Sequence, residues 1–89
     1  MLLELYDMNH RRIAGLKNHK DAMVESELST GDKTLSFLWH SSNSQKIPHE
    51  YYIRTDKDEF VVKENAKNSD HYRKITAKLN IEEIENRML

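Results

Sequence analysis

Apolar and polar residues alternate with period two along most of the chain, which is the pattern of half-buried strands. Leu2 to Tyr6 is a short apolar run. Asp7-Met8-Asn9-His10 follows as a turn, because Asp and Asn side chains bond their own backbone. Arg11 to Leu16 returns as a second strand with Ile13 and Leu16 as its apolar content, and Gly15 weakens it or marks a bulge. Asn18-His19-Lys20-Asp21 reads as a polar connection. The clearest hairpin comes next. Ala22, Val24 and Leu28 fall on one face with Ser26 between them, while Met23, Glu25 and Glu27 fall on the other. Ser29-Thr30-Gly31-Asp32-Lys33 breaks the alternation, and Gly31 can take the positive φ that a short bulged loop requires. Beyond it Leu35, Phe37 and Trp39 share one face, and Thr34, Ser36 and His40 the other.

Ser41 to Glu50 is the longest polar stretch and holds Pro48. It reads as a loop with freedom to move. Tyr51 to Thr55 and Phe60 to Lys63 form a second hairpin around the charged turn Asp56-Lys57-Asp58-Glu59. Glu64 to Asp70 reads as another polar connection. His71 to Leu79 is a last strand, with Ile75, Ala77 and Leu79 on one face. There the period changes. Asn80 followed by Glu83 is a capping-box pattern, and Ile81, Ile84 and Met88 recur at helical spacing. Glu82, Glu83 and Glu85 lie where a helix dipole favours acid, with Arg87 near the other end. A short C-terminal helix is expected. Met88 and Leu89, at its end, are hard to bury within one subunit.

Composition narrows the function classes. The chain has 89 residues, 37% hydrophobic and 33% charged, with 14 Lys+Arg against 15 Asp+Glu. One small domain is expected, with a core too small to be generous. The near-zero net charge argues against a strongly basic nucleic-acid binder and offers no polybasic patch for an anionic membrane. No segment approaches the ~18 apolar residues of a membrane span. Met1-Leu2-Leu3-Glu4 has no basic leader before an apolar run, so the chain reads as one made in the cytoplasm without a signal peptide. Cysteine is absent, which excludes a disulfide framework, a thiolate metal site and a cysteine nucleophile. A small domain without such staples leans on partners.

No residue pattern carries catalysis. His10, His19, His40, His49 and His71 show neither a His-x-His pair nor helical spacing, so no metal site is expected. No Gly-x-Ser-x-Gly elbow surrounds a serine. The 2 glycines are too far apart for a phosphate loop or a dinucleotide fingerprint. The carboxylate pairs Glu25/Glu27, Asp56/Asp58 and Glu82/Glu83 are explained by a strand face, a turn and a helix cap. Arg11-Arg12, Lys63, Lys67, Arg73, Lys74 and Lys78 are interleaved with acid and do not cluster as a nucleic-acid surface does, though Tyr51, Tyr52 and Tyr72 could stack on bases. Catalytic, cofactor-binding and metal-ligating residues are therefore all assigned as none, and no cofactor is expected.

Four segments together resemble the N-terminal domain of phage and prophage minor tail proteins, the tail-associated hub or prophage endopeptidase tail family. These are LLELYDMNHRRIAGL, ESELSTGDKTLSFLW, EYYIRTDKDEFVVKEN and HYRKITAKLN leading into IEEIENRML. Their order and spacing cover Leu2 to about Met88. The resemblance implies a mainly β, tail-tube-like hub domain at the N-terminal part of a longer tail protein. It implies self-association as a trimer and contacts with the distal tail ring and other tail-tip proteins, and it puts any peptidoglycan-cleaving activity in later domains. No lytic motif is matched here.

The expected fold is thus mainly β: a small antiparallel sandwich or split barrel of five to six strands spanning residues 1–89, with a short C-terminal helix. The expected function is structural, in a phage tail tip, through subunit contacts rather than catalysis. The alternative is a small β-rich module binding a peptide or nucleic acid. No membrane partner is expected.

Overall fold

The structure is a computed structural model and describes residues 2–27, 29 and 31–80. Among the described residues seven strands form one antiparallel sheet: β1 (Glu4–Tyr6), β2 (Arg12–Gly15), β3 (His19–Ser26), β4 (Lys33–His40), β5 (Tyr52–Arg54), β6 (Glu59–Lys67) and β7 (Tyr72–Leu79). Their order across the sheet is β2-β1-β5-β6-β7-β4-β3. The count exceeds the expected five to six because the short runs of β1, β2 and β5 all pair: Leu5 lies opposite both Ala14 and Ile53. Leu28 and the segment after Asn80, where the helix was expected, lie outside the described residues.

Connectivity forces this sheet to bend. β2 and β3 occupy opposite edges, yet only Leu16, Lys17 and Asn18 separate them. Four Cα steps reach at most roughly 14 Å. The edges of a flat seven-stranded sheet stand roughly 29 Å apart. The sheet therefore folds over, and its concave face encloses the core. Leu5, Ile53 and Phe60 face each other across β1, β5 and β6. Val62, Ala77 and Leu35 do so across β6, β7 and β4. Phe37 sits opposite Ile75, and all of these residues are buried. Each large one contributes about 1.5–3 kcal/mol relative to exposure.

The alternation predicted for the central hairpin holds. Leu35, Phe37 and Trp39 are buried, Ala22 and Val24 pack against them, and Met23 points outward. Gly31 has φ 75°, in the left-handed region that glycine enters at little cost.

Three irregularities in strand pairing account for the other departures. In β2 the register slips so that Leu5 pairs with Ala14 and Tyr6 with Arg12. Ile13 falls in the slip and is 38% exposed rather than core. In β3, Asp21 and Ala22 lie between the pairs Lys20–Leu38 and Met23–Ser36, and Asp21 has φ 54°. That bulge lets His19 to Asp21, expected as a connection, begin a strand. In β6, Lys63 is the extra residue between the pairs Val62–Ala77 and Glu64–Thr76. A bulged residue shifts the side-chain phase by one. Asn65, not an apolar residue, then faces inward, and the strand continues to Lys67 through a segment too polar to read as one.

The stretch Ser41 to Glu50 is also pinned rather than loose. Ile47 is 2% exposed within the core. Trp39 Nε1 donates to the Gln45 carbonyl at 3.0 Å and Asn65 Nδ2 to the Ile47 carbonyl at 3.0 Å. Arg73 holds Asn65 in place by donating to its side-chain and backbone oxygens.

Candidate functional site: sheet edges and a buried carboxylate

The convex face of the sheet carries a polar network centred on Glu59. Its side chain is 7% exposed. Arg54 Nε donates to Oε2 at 2.6 Å, Asn80 Nδ2 donates to Oε1 at 3.0 Å, and His10 Nε2 lies 3.2 Å from Oε1. His10 reaches this point because the β1–β2 turn is rigidly built. Asp7 Oδ1 accepts from the backbone N–H groups of Asn9 and Arg11. His10 takes φ 63°, a left-handed conformation in which His is enriched among non-glycine residues. Its ring stacks on Tyr52 with centroids 4.0 Å apart. The Arg54 guanidinium lies 4.5 Å from the Tyr6 ring centre. One carboxylate thereby joins the β1–β2 turn, the β5–β6 hairpin and the end of β7. By sequence Glu59 belongs to a turn of four charged residues and Asn80 is only a helix cap. A lone Glu beside three charged neighbours gives no signal that it is buried.

The remaining histidines are scattered. His19 Nδ1 lies 2.6 Å from the Leu16 carbonyl oxygen. His40 and His71 stack with centroids 6.0 Å apart at the opposite end of β7. Among the described residues no group of three His, Cys, Asp or Glu converges to hold a metal ion.

One contact has the distance of a nucleophile–base pair: Ser42 Oγ lies 2.6 Å from His40 Nδ1. The two residues are neighbours in the turn after β4, and the Ser42 backbone N–H donates to the same nitrogen at 3.1 Å. That is the geometry of a local turn bond. Glu25 and Glu27 are exposed, Asp58 pairs with Lys33 at 3.1 Å, and Glu82 and Glu83 lie outside the described residues. Of the tyrosines, Tyr51 packs on the core, Tyr52 on His10, and Tyr72 under Lys20, whose Nζ is 5.3 Å from the ring centre.

The open features are the two sheet edges. Among the described residues no strand pairs with the outer side of β2 or β3. Leu2, Met8 and Ile13 near β2, and Met23 on β3, are exposed.

Residues 3–80 match the family described as the prophage endopeptidase tail N-terminal domain. The chain belongs to this family. The match runs from the residue before β1 to the residue after β7, so it takes in every strand of the sheet. It bears out the family resemblance read from the four sequence segments and makes this a phage tail domain. No curated protein and no solved structure matches the chain.

Proposed function

We propose that this prophage tail domain is a structural assembly unit of the tail tip, in the position of a baseplate hub, and acts through subunit contacts rather than catalysis. It is the N-terminal part of a longer tail protein, carried in the virion tail. It associates with copies of itself, in a trimer as the family resemblance implies, and with distal-tail and other tail-tip proteins. The family match over residues 3–80 is the observation that carries this reading. Two features support it. Among the described residues neither edge of the bent sheet has a partner strand, and open edges are suited to joining chains. The polar groups of the convex face are tied into a rigid network around Glu59, which gives a neighbouring subunit a fixed surface.

The test is to induce the prophage, purify tail particles and locate the protein by mass spectrometry and by gold-labelled antibody. Labelling at the distal end is expected. Its absence from purified tails, with the protein still soluble in the lysate, overturns the reading.

A further inference from the structure

The bend of the sheet sets two turns against each other. The β5–β6 turn faces the base of the β3–β4 hairpin, and the cleft between them is lined by Val24, Lys33, Thr55, Asp56, Lys57 and Asp58. Lys33 bridges the two walls, with Nζ 3.1 Å from Asp58 Oδ2. Val24 is half-buried and packs against the core, as does Leu79 at the end of β7. The lysine stems and the Thr55 methyl add apolar surface beneath their polar tips. Among the described residues the cleft is the open end of the core.

The chain leaves the sheet at this cleft. The Asn80 backbone N–H donates to the carbonyl of Glu59, the residue after Asp58. Leu79 lies opposite Phe60, which is buried. Period two carries the face of Ile75, Ala77 and Leu79 on to position 81. The segment Ile81-Glu82-Glu83-Ile84-Glu85 lies outside the described residues and is known by its sequence. Its isoleucines have the i, i+3 spacing at which helical side chains share a face. Ile84 is four residues beyond Asn80, a reach of at most roughly 14 Å. Charge does not oppose a contact here. Lys33 and Lys57 balance Asp56 and Asp58 in the cleft, so the acids of the segment meet no net negative charge.

We propose that residues 81–85 fold back into this cleft, Ile81 and Ile84 lying against Val24 and the Thr55 methyl. The contact closes the open end of the core and fixes the direction in which the chain leaves the domain. The occupant is the chain's own segment because Asn80 anchors it at the rim through two bonds to Glu59. So short a tether gives it a local concentration on the order of millimolar, which a separate partner must exceed. The contact lies within one chain and does not rest on the assembly reading.

The chain has no cysteine, so paired substitutions report proximity by disulfide closure. One protein carries Lys57→Cys and Ile84→Cys, the other Glu25→Cys and Ile84→Cys. Lys57 lines the cleft, whereas Glu25 is exposed and lies two strands from Lys78, through Thr34. That is roughly 10 Å, within reach of the same tether. Under mild oxidation, closure within one chain is expected about tenfold faster, or more, for the Lys57 pair, because a docked segment holds the two positions within bridging distance. Adding Ile81→Asp is expected to bring both pairs to the same rate. Melting curves check folding, and Asp56→Cys replaces Lys57→Cys in a protein that fails to fold. Equal rates for the two pairs overturn the proposal, as does a Lys57 rate that Ile81→Asp leaves unchanged. Disulfide-linked dimers in place of internal closure assign the cleft to a second copy and overturn it too.

Discussion

Glu59 and Asn80 are bonded twice. The Asn80 backbone N–H donates to the Glu59 carbonyl at 2.9 Å, and Asn80 Nδ2 donates to Glu59 Oε1 at 3.0 Å. The first bond extends the β6–β7 ladder by one rung past Leu79. The second fixes the backbone where the chain leaves the sheet, against a carboxylate that Arg54 and His10 also hold.

Replacing Glu59 by Gln keeps the shape and removes the charge. A hydrogen bond to a charged group contributes about 1.5–3 kcal/mol, and a loss of that size is expected in urea unfolding. Asn80→Ala removes a donor to the same carboxylate and should also cost about 1.5–3 kcal/mol. The two changes share one contact, so their costs should not add. A double variant whose loss equals the simple sum would show that the Glu59 charge adds nothing to the Oε1–Nδ2 bond.

Phe37→Ala removes the largest side chain at the centre of β4, opposite Ile75 and edge-on to Trp39 with centroids 6.3 Å apart. Such a truncation costs about 3–5 kcal/mol. A domain of this size has only about 4–13 kcal/mol in total, so a steep fall in melting temperature or outright unfolding is expected. An unchanged melting temperature would contradict the register.

The Ser41–Glu50 loop should behave as part of the core. Ile47→Ala is expected to cost about 2–5 kcal/mol. Asn65→Ala strips the Ile47 carbonyl of its donor and frees Arg73. Both changes should raise quenching of the single tryptophan, Trp39, which is 6% exposed and tied to Gln45. Quenching equal to wild type in both would mean the loop is held by other contacts.

Ser42 offers the nearest approach to hydrolytic geometry, through His40 Nδ1 at 2.6 Å. Incubation with purified peptidoglycan and with a denatured protein should give no turnover. The Ser42→Ala protein should match the wild type in that assay and lose at most about 1 kcal/mol of stability. Turnover that survives repurification and vanishes in Ser42→Ala would overturn the structural reading.

Period-two runs, the Gly31 turn and the Asp7 turn determined where the strands of this protein lie, because alternation and turn chemistry are local properties. Leu35, Phe37 and Trp39 declared their buried face in the same way. The order and spacing of the four tail-like segments carried the family, which a match over residues 3–80 shows. Neither local pattern nor family order reveals what long-range pairing decides. The three register slips move Ile13 outward, turn Asn65 inward and recruit His19 to Asp21 and Glu64 to Lys67 into strands. A slip of one residue reverses every later side chain, and only the partner strand sets where it occurs. The burial of Glu59 and Ile47 belongs to the same class. Each sits in a polar stretch and is enclosed because residues far along the chain, Asn80 and His10 for one and Asn65 for the other, close over it when the sheet bends.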